Sequence, residues 1–159
     1  MAHTPQTTTR RTFLVRSSGT AAALALGATS IPAHATPESL AASIKDVVGS
    51  AALRTGKVTL DLPPLAENGN TVPMTVTVDS PMTEADHVKA IHVFNEKNPQ
   101  PYVMTAMLGP RNGRAQVAVR IKLNDSQKIV AIAETSRGEF WTASADVIVT
   151  LAACVEDPT

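Results

Sequence analysis

The sequence contains one cysteine, Cys154, close to its C-terminal end, where Ala152, Ala153 and Val155 flank it on a short arm. One cysteine excludes an internal disulfide and any thiolate-rich zinc or iron–sulfur site. A chain end is also a poor support for a catalytic nucleophile, because catalysis requires its groups to be held within a narrow tolerance. We therefore predict that Cys154 binds a group covalently and presents it elsewhere, with no catalytic residues.

Three other roles for Cys154 stay open at this point. The thiol could act as a nucleophile with a distant histidine as base. It could form an interchain disulfide in a protein that serves as a structural or interaction module. It could also be buried and inert, as lone cysteines commonly are. The polar residues that follow it, Val155 to Thr159, argue against burial.

The other candidate ligands do not predict a metal site. His87 and His92 are five residues apart, and an odd separation on a strand places side chains on opposite faces. Glu84 and Asp86 are interpreted as solvated acids of a loop. We predict neither a metal nor a cofactor. The methionines that follow the leader are interpreted as core residues, because they lie among strand residues: Met74, Met82, Met104 and Met107.

Residues 1–35 have the organisation of an export signal. Arg10-Arg11 precedes Phe13-Leu14, an alanine-rich segment follows, and Ala33-His34-Ala35 forms a small-residue cleavage site. The arrangement resembles a twin-arginine signal, whose translocon exports folded proteins; an ordinary secretory signal is the alternative. We predict cleavage after Ala35 and a periplasmic location. Since no cofactor is evident, we attribute folded export to a partner that lacks a signal and is carried along.

The charge distribution excludes some partners. The formal net charge is zero, but residues 1–35 hold three of the 14 basic residues and none of the 14 acidic ones. The remainder therefore carries 11 basic and 14 acidic side chains, a net charge of about −3, which is not typical of a nucleic-acid-binding protein. No stretch after the leader approaches the roughly 18–20 apolar residues of a membrane span. We predict no nucleic acid and no membrane among the partners.

The periodicity of apolar residues predicts the elements that carry the arm. A helix starts at Thr36-Pro37-Glu38 and ends near Gly56, and the period then changes to two. Seven short strands between turn signals favour an all-β fold, an immunoglobulin-like antiparallel β-sandwich with a short N-terminal helix and Trp141 in its core. The predicted strands are 58–62, 72–78, 88–94, 102–108, 117–123, 128–134 and 140–151. We divide the chain into a signal peptide (1–35), helix and sandwich (36–151) and C-terminal arm (152–159).

Four blocks of the sequence are specific enough to compare with a known family: Gly69-Asn70-Thr71-Val72-Pro73, Asp79-Ser80-Pro81-Met82-Thr83-Glu84-Ala85-Asp86, Ile91-His92-Val93-Phe94-Asn95-Glu96-Lys97-Asn98-Pro99 and Gly138-Glu139-Phe140-Trp141. These blocks resemble the SoxY family, the sulfur-carrier subunits of the periplasmic sulfur-oxidising (Sox) system. The resemblance covers nearly the whole chain, including the leader and the last strand that leads to the cysteine.

The resemblance implies a carrier that performs no reaction itself and that holds sulfur intermediates of thiosulfate oxidation on Cys154. It implies an immunoglobulin-like sandwich in a heterodimer with SoxZ, which lacks a signal, and leaves open a higher oligomer through a Cys154 disulfide. The transient partners it implies are SoxXA, a haem c enzyme that joins thiosulfate to the thiol, SoxB, which hydrolyses off sulfate, and a sulfur dehydrogenase.

The tail departs from the Gly-Gly-Cys-Gly-Gly ending typical of that family. Alanine and valine beside Cys154 make a stiffer arm than glycine, and Glu156 and Asp157 are expected to raise the thiol pKa and repel anionic thiosulfate. A divergent paralogue with another sulfur donor is therefore an alternative. With the last strand ending near Leu151, three residues of arm give a reach of about 10–11 Å.

Overall fold

The computed structural model describes residues 36–153. The predicted signal peptide, 1–35, and the end of the predicted arm, 154–159, lie outside these residues. No helix among residues 36–153 is long and apolar enough to cross a membrane.

The first element is helix α1, Pro37–Val48. Thr36 and Ser39 form a reciprocal capping box at its N-terminus, which satisfies backbone donors that the helix itself leaves unpaired. The predicted end near Gly56 is wrong, because Gly49 ends the helix with φ of 63° and donates its amide to the Lys45 carbonyl. Of the residues between Gly49 and Gly56, only Leu53 and Arg54 lie in a strand.

Nine strands follow α1 among the described residues. They are β1 (Leu53–Arg54), β2 (Val58–Asp61), β3 (Leu65–Ala66), β4 (Val72–Val78), β5 (Val88–Asn95), β6 (Tyr102–Met107), β7 (Ala115–Ile121), β8 (Gln127–Thr135) and β9 (Phe140–Val149). All seven predicted strands are present within a few residues of their expected bounds. The two-residue strands β1 and β3 were not predicted.

The strands form two sheets that pack face to face, which confirms the predicted β-sandwich. The larger sheet has the order β1-β9-β8-β5-β6, and the smaller has the order β2-β4-β7. The long neighbours are antiparallel. In contrast, β1 and β3 run parallel to β9. Strand β1 pairs with the start of β9 and β3 pairs with its end, so both ends of β9 have a neighbour on the side away from β8.

The core follows from the alternation of the strands. In β4 every second residue is buried, and these side chains face the larger sheet. Strands β5 and β8 are buried on both faces, because α1 packs on the outer face of the larger sheet. The helix face contributes Leu40 and Val48 to a second cluster with Phe94, Val130 and Ile132.

Two expectations about core residues need correction. Met74 and Met82 are buried and Met104 is half-buried, but Met107 is 74% exposed because it lies at the end of the edge strand β6. Trp141 is only half-buried. Its ring packs against the core on one side and carries the Lys57 ammonium at 4.8 Å from its centroid.

Candidate functional site at the base of the C-terminal arm

The segment after β9 is held against the fold by backbone hydrogen bonds. The Thr150 amide donates to the Ala66 carbonyl at 3.0 Å, and the Gly69 amide donates to the Leu151 carbonyl at 2.7 Å. The Ala153 amide donates to the Leu123 carbonyl at 2.9 Å. The backbone is therefore anchored as far as Ala153, the residue immediately before Cys154.

Gly69 lies at the centre of this arrangement. Its carbonyl accepts a hydrogen bond from the Leu123 amide at 2.8 Å, while its own amide holds Leu151. A Cβ atom on Gly69 would collide with the Leu123 carbonyl oxygen and would lie 2.8 Å from the Ala153 nitrogen and 3.0 Å from the Leu151 oxygen. Only glycine lets these three backbone segments approach so closely.

The predicted arm residues occupy different environments. Ala152 is exposed, whereas Ala153 is 7% exposed. Cys154 and Val155 lie outside the described residues. The expected reach of about 10–11 Å assumed an anchor at Leu151, but the hydrogen bond of Ala153 moves the anchor two residues along the chain. Measured from Ala153, one extended residue spans only about 3.3–3.6 Å.

The surface where the chain emerges is apolar. Leu65 and Ile148 are direct neighbours in the pairing of β3 with β9, and they are 51% and 61% exposed. Leu151, which follows β9 along the chain, is 63% exposed. These three exposed apolar side chains lie on β3, on β9 and just after β9.

His87 and His92 lie apart from the arm in the hydrogen-bonding scheme. His87 precedes β5, and its Nδ1 donates to the Thr83 carbonyl oxygen at 3.0 Å. His92 Nδ1 lies 2.6 Å from the Thr105 hydroxyl, which also accepts from the Tyr102 hydroxyl. Among residues 36–153, no group of three or more histidine, cysteine, aspartate or glutamate side chains could hold a metal ion.

The environment of His92 favours its neutral form. Its Nε2 is buried with no hydrogen-bond partner among the described residues. Burial lowers the pKa of His92, while the Glu134 carboxylate opposes that shift. Glu134 is itself paired with Lys89. The imidazole is therefore a half-buried group of the sheet that favours its neutral form.

The acidic loop before β5 has a structural role that the sequence interpretation missed in part. Glu84 is exposed as expected, but Asp86 forms an ion pair with Arg137 at 3.3 Å. Met82, with a positive φ of 50°, is buried beneath the loop.

Gly69 was not singled out from the sequence as a site residue. In the sequence it stands out only as the first residue of a block that resembles SoxY. Its contact with the chain before Cys154 spans more than 80 residues of sequence, and periodicity carries no information about such a contact.

Comparison with known proteins identifies the family. The family model of the sulfur oxidation protein SoxY matches residues 44–154. Among solved structures, the sulfur carrier protein SoxY from Chlorobium limicola f thiosulfatophilum is 25% identical, with a TM-score of 0.61, and the match covers 73% of this chain and 100% of that chain. A search of curated proteins finds no match.

Superoxide reductases share the fold alone. The enzyme (neelaredoxin) from Ignicoccus hospitalis is 17% identical with a TM-score of 0.54, over 72% of this chain and 94% of that chain. The fold alone therefore does not distinguish a carrier from an enzyme. On the match over residues 44–154, this chain belongs to the SoxY family of sulfur oxidation proteins.

Proposed function

We propose that this protein is a non-catalytic periplasmic sulfur carrier that holds intermediates of thiosulfate oxidation on Cys154. The observation that carries the proposal is the match to the SoxY family, which extends to residue 154 and so includes the cysteine. The similarity to a solved sulfur carrier over the whole length of that chain supports it.

The proposed loading step is oxidative. The Cys154 sulfur forms a bond to the outer sulfur of thiosulfate, the thiol proton leaves, and two electrons pass to a haem c acceptor, SoxXA in the Sox system. The product is a cysteine S-thiosulfonate. Hydrolysis by SoxB then breaks the bond between the sulfane sulfur and the sulfonate, water supplies the new oxygen of sulfate, and a persulfide stays on Cys154. A sulfur dehydrogenase would act on that persulfide.

The geometry of the domain supports a role as a presenter of bound sulfur. Leu151 and Ala152, which precede Cys154 closely along the chain, are exposed, and so are Leu65 and Ile148. His87 and His92 are engaged with Thr83 and Thr105. A carrier needs an accessible attachment point on a stable domain and no acid–base machinery of its own.

The proposed stable partner is SoxZ, exported together with this chain through the twin-arginine leader. Replacing Arg10 and Arg11 by lysine should leave both proteins in the cytoplasm, which cell fractionation measures. Finding SoxZ in the periplasm of such cells would contradict joint export.

The direct test of the carrier role is intact-mass spectrometry of the protein from periplasm of cells grown with thiosulfate. We expect mass additions that correspond to sulfane sulfur and sulfonate on the wild type and none on Cys154→Ser. A free thiol together with a Cys154-linked dimer, and no sulfur adduct, would instead support the structural role.

A further inference from the structure

We propose that Gly69 and Leu123 form a backbone clasp that fixes the exit point of the C-terminal arm, which makes Gly69 a positioning residue for Cys154. The importance of the exit point for sulfur transfer rests on the proposed carrier function. The clasp itself rests on the described residues alone.

Both halves of the clasp lie on rigid parts of the fold. Gly69 opens a single helical turn, residues 69–71, that leads directly into β4, and the Asn68 side chain caps this turn by accepting from the Asn70 amide at 2.9 Å. Leu123 follows β7 and is fully buried. Strands β4 and β7 pair at this end, with Val72 opposite Ile121. The pairing of β4 with β7 in the smaller sheet therefore fixes the position of the clasp.

The arm is bound from both sides of this junction. Gly69 holds the Leu151 carbonyl and Leu123 holds the Ala153 amide, while a third hydrogen bond joins Gly69 to Leu123. The exposed Ala152 bridges the two attachment points. Alanine at these positions loses less conformational entropy than glycine when the backbone is fixed, so the sequence of the arm favours the clasped state.

The clasp limits how far the thiol can move. From Ala153 the α-carbon of Cys154 lies within about 3.8 Å, whereas release back to Leu151 would give about 10–11 Å of extended chain. A partner enzyme would then have to accept the thiol close to the apolar surface formed by Leu65, Ile148 and Leu151. Opening the clasp would exchange this defined exit point for a longer and more mobile arm.

The test compares Gly69→Ala with Gly109→Ala. Both place a methyl group on a glycine without a positive φ, but a Cβ on Gly109 meets no atom within 4 Å. A nitroxide label on Cys154, the sole cysteine, reports arm mobility. We expect Gly69→Ala to sharpen the lines of the nitroxide's electron paramagnetic resonance spectrum. We also expect the rate of hydrogen exchange at the Ala153 amide to rise roughly tenfold, while the amides of β8 stay protected from exchange. Gly109→Ala should match the wild type.

A superimposable spectrum and unchanged Ala153 exchange in folded Gly69→Ala would overturn the proposal. If Gly69→Ala does not fold, Ala153→Pro removes the donor to Leu123 and also fixes φ at this position, whereas Ala153→Gly keeps the donor. We then expect faster exchange of the Gly69 amide in the proline variant than in the glycine variant, and equal exchange would overturn the clasp. These readouts need no sulfur chemistry. If Gly69→Ala changes neither the nitroxide spectrum nor Ala153 exchange while Cys154 still carries sulfur adducts, the clasp is refuted and the carrier role is not. If Gly69→Ala changes both but Cys154 carries no sulfur adduct, the carrier role is refuted and the clasp is not.

Discussion

Truncation of Phe94 tests the packing of α1 on the larger sheet. Phe94 is fully buried in the cluster beneath the helix, and its ring meets the Tyr102 ring edge to face at 5.8 Å. Phe94→Ala should lower the free energy of unfolding by about 3–5 kcal/mol through lost burial and the cavity left behind. That is a large share of the roughly 5–15 kcal/mol that stabilises a typical domain. The 12-residue helix is marginal without this surface, so it should lose helicity as well.

Urea unfolding followed by Trp141 fluorescence measures this loss, because the protein has a single tryptophan and it lies on β9. Circular dichroism follows the helix in the same titration. Met107→Ala is the matched control, since its 74% exposed side chain should change stability by no more than about 0.5 kcal/mol. A loss below about 1 kcal/mol for Phe94→Ala, with α1 retained, would refute the packing of the helix on this face.

Two further predictions concern charge. Burial lowers the pKa of His92, so the imidazole of the unfolded chain becomes protonated at a higher pH than that of the folded chain. The free energy of unfolding, measured by urea titration, should therefore fall as the pH drops below the ordinary histidine pKa, and His92→Gln should reduce this fall. The same pH dependence in both proteins would contradict the prediction. Replacing Glu156 and Asp157 by Gln and Asn should speed alkylation of Cys154 at neutral pH by favouring the thiolate, with the difference shrinking at high salt; equal rates at low salt would show that the tail acids are irrelevant to the thiol.

The long strands could be predicted because apolar and polar residues alternate along them or because turn residues mark their two ends. β4 and β7 illustrate the first case, with buried residues at every second position of β4. β5 and β8 gave weaker patterns, since α1 covers their outer face and both sets of side chains are buried. The two-residue strands β1 and β3 are too short to show any period and depend on pairing with β9.

The end of α1 was missed for a local reason. Ala51 continued the helical spacing of apolar residues, but Gly49 adopts a positive φ that ends the helix first. Similarly, Met107 has the residue type of a core position, and only its place at the end of an edge strand explains its exposure.

The chemistry proposed for the candidate site follows from the sequence, whereas the anchoring of the chain before Cys154 does not. The residue type and position of Cys154 were enough to suggest a carrier. The attachment of Ala153 to Leu123 depends on a close approach of three backbone segments, which no spacing in the sequence reveals. The reach from the last anchored residue to Cys154 was therefore overestimated by two residues.

The proposed carrier role requires that Cys154 binds sulfur derived from thiosulfate. The most direct measurement is peptide mass spectrometry of the purified protein after incubation with thiosulfate labelled at its outer sulfur and with SoxXA as the oxidant. We expect a labelled thiosulfonate on the peptide that contains Cys154, and no label on the Cys154→Ser protein. An unlabelled Cys154 peptide under conditions in which an established SoxY carrier is loaded by the same enzyme would contradict it.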